Sequence, residues 1–428
     1  MSADRTIDVD YLARVEGEGS LKVAVRDGAV DVVEFGIFEP PRFFEAFLEG
    51  RPYSDAPDIT ARICGICPVA YQMSSCHAME RAFGTTVGEP IRSLRRLLYC
   101  GEWIESHVLH VFLLHAPDFL GYESAVHMAA DHREAVERAL RLKKIGNDVV
   151  NVLGGREIHP INVRVGGFYS LPPRDALRSL PLEEALDLAR WMVDFTATLP
   201  MPDVEMDFDF VSLVHPDEYP FNEGRIVSTS GIDVGNDEWD RVFVEEHVAR
   251  SNALHARTLE GGVYHVGPLA RYAHNRARLS AGAREAAERM GLPAVVRNPF
   301  RSIVVRAVET LHAVEEAMRL VDGYDDAADP AVVIEPRAGT GAAATEAPRG
   351  LLWHRYSVGE DGRIAEATIV PPTAQNQLVM EADVRAVLER SLHLPDDELQ
   401  WRLEQTIRNY DPCISCATHF LRLEVDRG

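Results

Sequence analysis

The chain has 428 residues, 46% of them apolar, enough for one large domain or two closely merged ones. Its formal charge of −23 argues against nucleic acid or an anionic membrane surface as a partner. No basic-then-apolar leader opens it and no uninterrupted apolar run approaches a membrane span, so a soluble cytoplasmic protein is expected.

Residues 13–19 lead into a predicted hairpin: Leu21, Val23 and Val25 alternate with other side chains, Asp27-Gly28 turns the chain, and Ala29 to Phe38 returns. Residues 42–51 predict a short amphipathic helix carrying Glu45 and Glu49. A long helix is predicted over 91–116, with Ile91, Leu94, Leu98, Ile104, Val108 and Val111 at helical spacing. His107 and His110, three apart on it, read as hydrogen-bonded core histidines. A second long helix follows over 123–153. The glycine-punctuated loop of 154–168 lacks the strand–GxGxxG–helix unit of a dinucleotide site. After a helix at 182–199, residues 204–268 mix short β-runs with Pro- and Gly-rich turns, and helices return at 275–290 and 300–321. Residues 323–346, rich in Ala, Gly, Asp and Thr, predict a flexible connection.

Four of the six cysteines form two Cys-x-x-Cys pairs at opposite ends of the chain. One lies in Arg62-Ile63-Cys64-Gly65-Ile66-Cys67, the other in Asp411-Pro412-Cys413-Ile414-Ser415-Cys416-Ala417-Thr418-His419. Such a turn sets two sulfurs on one side of a tight loop, and two turns together make a soft, electron-rich metal site. On spacing alone a structural zinc and a redox-active metal stand level, while a thioredoxin-like pair leaves the second motif unexplained. Cys76 and Cys100 read as small buried residues, not a disulfide.

The residues around the cysteines resemble the two signature motifs of the nickel–iron hydrogenase large subunit. Similar segments run through most of the chain: Arg14-Val15-Glu16-Gly17, the glycines of 154–167, Pro348-Arg349-Gly350, and Ile369-Val370-Pro371-Pro372-Thr373. Residues 68–73 resemble cytoplasmic, nicotinamide-coupled members, the sulfhydrogenases. The resemblance implies a mainly α (α+β) fold, a helical bundle with small peripheral β-sheets and the metal site buried between the two cysteine loops. It implies one domain over 1–419, with 420–428 a candidate propeptide removed by a maturation endopeptidase.

By the same resemblance, Cys64 and Cys413 hold nickel alone, and Cys67 and Cys416 bridge it to iron in a Ni–Fe(CN)2CO centre. Pro348 and Thr373 line that centre, Glu16 and Arg349 are catalytic, and Glu16 passes protons. Glu45 (preferred to Glu49), the Thr368 carbonyl and His419 bind a magnesium or iron ion near the C-terminus. The implied reaction is reversible heterolytic cleavage of H2. Its electrons leave through an iron–sulfur small subunit and onward flavin, NAD(P)-binding and further iron–sulfur subunits, because this chain has no other cysteine pair. The alternative is a non-catalytic scaffold or electron-transfer subunit with a four-cysteine zinc site. Three positions depart from the commonest family pattern: Tyr71 stands where histidine is usual, Ser106 where aspartate is frequent, and Pro372 where a hydroxyl often lies.

Overall fold

The computed structural model describes residues 4–325 and 329–418. The predicted hairpin forms from Gly19–Arg26 and Ala29–Ile37, and Arg5–Val9 adds a third antiparallel strand. Leu21, Val23 and Val25 all face the core, as their alternation requires. Asp27 and Gly28 both take positive φ (51° and 79°), the geometry that lets a two-residue turn follow the strands' twist.

Five long helices make the centre: Pro68–Phe83, Glu89–Val108, Arg133–Gly154, Leu182–Ala197 and Ser302–Asp322. The second and third cross closely because glycines meet there. A Cβ on Gly146 would lie 2.9 Å from the Gly101 carbonyl. The helix predicted over 91–116 is not uniform, for it widens into a π-helical segment, Leu109–His115, before the short helix Ala116–Leu120. Pro117 lacks the N–H that would continue the α ladder through this stretch. The helix expected over 123–153 likewise divides, into Ala125–Met128 and Arg133–Gly154.

Residues 323–346 differ from expectation at their end. Gly339–Ala347 is a buried strand, paired antiparallel with Gly350–Val358, which pairs in turn with Ile364–Val370. Small residues are needed there because the Pro68–Phe83 helix lies directly on the strand: a Cβ on Gly341 would sit 2.2 Å from the Ala78 carbonyl oxygen. The composition that resembles a flexible linker is here the means of close helix–strand packing. A satellite core, including Val211, Leu213, Trp239, Tyr264 and Trp353, joins this sheet to the small sheets of 210–266. No described helix is long and apolar enough to cross a membrane.

The two ends of the chain are tied together by a buried charge cluster. Asp118 accepts from Arg408 Nε and Nη2, both at 2.8 Å, and from Arg14 Nη2 at 2.5 Å, with His115 Nδ1 at 3.0 Å. Burial works against the charge, but the His115 hydrogen bond and the Arg408 guanidinium hold the Asp118 carboxyl well below its usual range. A depressed folded-state pKa stabilises above the unfolded value, about 3.9, and that stability is lost only as pH falls through the folded value. Asp118→Asn should therefore cost about 3–5 kcal/mol at neutral pH, through unpaired buried arginines. Urea unfolding against the wild type checks this, and the gap should narrow only below about pH 4.

Candidate metal centre

The sulfurs of Cys64, Cys67, Cys413 and Cys416 lie within 4.8 Å of one another and all four residues are buried. Cys64 Sγ is 3.5 Å from Cys413 Sγ, and Cys67 Sγ is 3.9 Å from Cys416 Sγ. Each end of the chain presents its pair differently. Cys67 immediately precedes the Pro68–Phe83 helix, whose Pro68 needs no N–H partner in the first turn. Glu102 of the neighbouring helix supplies the cap, accepting from Val69 N at 2.6 Å and Ala70 N at 3.1 Å. The N–H groups of Ile66 and Cys67 both point at Cys64 Sγ, at 3.3 Å. The C-terminal loop pairs with the Glu16 backbone, Ile414 N donating to Glu16 O at 2.8 Å. Arg42 joins the loops: its Nη2 donates to the carbonyls of Ile63 and Ser415, and its N donates to Thr418 O.

Once one of four thiols in so small a buried space has ionised, its charge opposes a second ionisation. The Cys413 contact pulls the Cys64 thiol well down, while burial pushes the Cys413 thiol well up. A thiophilic cation relieves that conflict, and the all-sulfur donor set suits nickel or zinc, not a hard ion.

Glu16 lies in contact with this cluster. Its Oε2 accepts from Cys413 Sγ and from Ser415 N, each at 3.0 Å. Burial, then the Cys64 charge, raises its carboxyl above the usual range. Arg349 is buried, with Nε donating to Asp411 O at 2.8 Å and Nη2 to Asp411 Oδ1 at 3.1 Å. Its Nη1 has no hydrogen-bond partner among the described residues, and the sulfurs of Cys413, Cys67 and Cys64 add to the pull of Asp411 on its charge. Pro348 is held through its carbonyl by Arg271 Nη2 at 2.9 Å, and Arg271 is itself gripped by Glu309, to which Nε and Nη2 each donate at 2.8 Å. Thr373 Oγ1 accepts from Cys413 N at 2.9 Å, which brings it to the C-terminal pair. Tyr71 is fully buried facing Cys416; burial, reinforced by the nearby sulfurs, pushes its hydroxyl well up, so it stays a donor.

The hard-ion group is only partly assembled. Glu45 Oε1 accepts from Ile369 N at 2.7 Å. The Thr368–Ile369 peptide is trans, so its amide edge meets Glu45 and the Thr368 carbonyl points the other way. His419 and residues 420–428 lie outside the described residues, although Thr418 is bonded to Arg42, three residues before Glu45. Glu245, unmarked in the sequence, has a buried Oε1 without a hydrogen-bond partner among the described residues; burial and the Glu45 charge push its carboxyl well up. Two neighbouring carboxyls fit a hard cation.

His107 and His110 are core histidines, as expected: His107 Nε2 lies 3.0 Å from Glu309, and His110 Nε2 is 2.8 Å from the Arg408 carbonyl. Asp411, Glu102, Arg42 and Arg271 escaped the sequence reading. Asp411 alone carried a signal, since it opens the second cysteine motif and adopts φ 53° there.

A mainly helical protein that buries four cysteines from its two ends, flanked by a carboxyl and an arginine, belongs to the class of thiolate-bound metalloproteins. The model of the nickel-dependent hydrogenases matches residues 42–139 and 246–419, and the chain belongs to that family as a large subunit. It is 34% identical over 424 residues to sulfhydrogenase 1 subunit alpha of Pyrococcus furiosus, covering 97% of this chain and 98% of that one. It is 29% identical to NAD-reducing hydrogenase HoxS subunit beta of Cupriavidus necator, covering 97% and 95%. A crystal structure of an NAD+-reducing [NiFe]-hydrogenase in the H2-reduced state superposes with a TM-score of 0.87 at 28% identity, over 97% of this chain and 99% of that one. The chain is a hydrogenase subunit with a nickel–iron site, and the zinc scaffold is not favoured.

Proposed function

We propose that this subunit cleaves H2 reversibly at a Ni–Fe(CN)2CO centre, with Cys64 and Cys413 on nickel and Cys67 and Cys416 shared with iron. The observation that carries this reading is the gathering of four buried sulfurs from opposite ends of the chain. When bound, the centre supplies heterolysis of H2 and accepts the electrons.

The protein's own residues handle charge and protons. Glu16 Oε2 takes the proton from Cys413 Sγ across their 3.0 Å contact. Asp411 fixes the fork of Arg349 so that Nη1 is left free for the reacting region, in a dry site where its charge acts strongly. Thr373 holds the Cys413 amide and keeps its own hydroxyl proton for a ligand of the iron, with Pro348 lining the same space. The buried Tyr71 hydroxyl, a donor without a hydrogen-bond partner among the described residues, stands by Cys416 as a neutral replacement for the usual histidine. Glu45 and His419 bind a magnesium or iron ion; Thr368 joins them only if its peptide turns over.

Cys76 and Cys100, the cysteines outside the pairs, are both buried, which supports electron exit through an iron–sulfur small subunit. The kinship with sulfhydrogenase and NAD-reducing subunits supports further flavin, iron–sulfur and NAD(P)-binding partners in the cytoplasm. Elemental analysis with infrared spectroscopy of the assembled enzyme tests the reading. Nickel with metal-bound CO and CN bands is expected; zinc without those bands would overturn it.

Maturation follows the same reading. A buried C-terminal pair leaves little room for further chain, so an endopeptidase is expected to cut after His419 and release residues 420–428 as nickel enters. Intact-mass analysis should give a terminus at His419 in nickel-loaded enzyme and the longer mass in nickel-free precursor. Fully active enzyme retaining the nine residues would exclude obligatory processing.

A further inference from the structure

Glu16 is only half-buried, yet its carboxyl oxygen Oε2 is turned inward to Cys413 and Ser415, so a proton placed on it still needs a way out. Ser415 N is one of its donors, the Ser415 side chain is a further partner that holds the Glu16 carboxyl down, and that same side chain reaches a second carboxylate. Ser415 Oγ donates to Glu39 Oε2 at 2.9 Å. Ser415 is 8% exposed, while the Glu39 side chain is 15% exposed, between exposed Phe38 and Pro40 at the end of the Ala29–Ile37 strand. The fold keeps space for this carboxylate. Gly17, next to Glu16, has φ 91°, and a Cβ there would lie 2.5 Å from Glu39 Oε2 and 2.7 Å from Ile414 Cβ. Glu18 N donates to the same oxygen at 3.3 Å, and Arg42 Nε stands 3.9 Å from the other.

We infer that Glu39 is the residue through which protons pass between Glu16 and solvent, with the Ser415 hydroxyl as the link. The inference rests on the proton role proposed for Glu16. In the outward direction Ser415 Oγ takes the proton from Glu16 and releases its own to Glu39 Oε2, so the serine ends neutral. Glu39 then passes the proton to water, and hydrogen production runs the same exchange inward. Glu102 and Glu105 are also buried near the centre, but among the described residues neither is hydrogen-bonded to a cysteine or to Glu16. Glu102 is occupied by helix N–H groups, and Glu105 by Lys143 at 3.1 Å.

Glu39 also clamps the Glu18 backbone and the Ser415 side chain, so its test must separate proton passage from bracing. Glu39→Gln keeps the acceptor oxygen and loses the ability to carry a proton; Glu39→Asp keeps the acid on a shorter stem. In the assembled enzyme, D2/H+ exchange followed by mass spectrometry is compared with para/ortho-hydrogen conversion, nickel content and infrared bands. Glu39→Gln is expected to slow solvent exchange about tenfold or more, with para/ortho conversion, nickel and infrared bands unchanged. Glu39→Asp or added acetate should restore part of the exchange. Wild-type exchange in Glu39→Gln while Glu16→Gln is blocked would overturn the role of Glu39 alone. Wild-type exchange in Glu16→Gln would overturn the Glu16 reading beneath it. Slowed exchange accompanied by lost nickel or shifted bands would make Glu39 a brace and overturn the inference.

Discussion

Cys67→Ser should abolish hydrogen oxidation and leave the enzyme without bound nickel. The serine oxygen is hard and short where the site requires a soft sulfur within reach of Cys416, 3.9 Å away. Changing a group that merely supports a metal ligand typically costs about 10–100-fold. Losing a ligand proposed to be shared by two metals should exceed that, and loss of Cys64, Cys413 or Cys416 should likewise abolish activity. The control lies in the same chain. Cys76 and Cys100 are equally buried but stand outside the cluster, and burial pushes the Cys76 thiol up to about 12, leaving it unreactive. Cys76→Ser and Cys100→Ser should cost about 1–3 kcal/mol of stability through a buried hydroxyl, with nickel content and infrared bands intact. Nickel analysis and H2-dependent dye reduction on all six variants decide the matter. Substantial activity in Cys67→Ser would remove its bridging assignment.

The cysteine cluster was legible because a metal-type site imposes local spacing on each pair, and spacing survives in a linear sequence. Glu16 and Arg349 were legible only beside those pairs; each alone reads as a surface charge next to a strand or loop. What supports them was hidden, because support comes from residues distant in sequence. Asp411 aims Arg349 from 62 positions away, and Arg271 holds Pro348 from 77. Glu102 caps the helix after Cys67 from a different helix altogether. The hairpin was readable from alternation and its Asp-Gly turn. The strand Gly339–Ala347 was not, since its alanines and glycines record the proximity of the Pro68–Phe83 helix, which local composition does not reveal. The π-helical segment was likewise hidden, for helical spacing alone does not distinguish π from α over so few residues.

Arg349→Lys and Glu16→Gln should fail in different ways, and the difference locates each residue in the reaction. Lysine keeps the positive charge but cannot repeat the fork that binds the Asp411 carbonyl and carboxylate together, at 2.8 and 3.1 Å. Its ammonium should settle on Asp411, leaving nothing in place of the unpartnered Nη1 of the arginine. The loss falls on bond cleavage itself, so turnover and para/ortho-hydrogen conversion should drop together, by about 100-fold or more if a preorganised donor is removed. Glu16→Gln leaves that donor in place. Its amide still occupies the space beside Cys413 and Ser415, but it carries no proton out. Turnover and D2/H+ exchange with solvent should fall by about 100-fold or more, while para/ortho conversion, which needs no exchange with bulk water, survives better. Nickel content and infrared bands should match the wild type in both variants. Equal loss of both conversions in Glu16→Gln would place Glu16 in bond cleavage, and full solvent exchange in it would send the proton by another route.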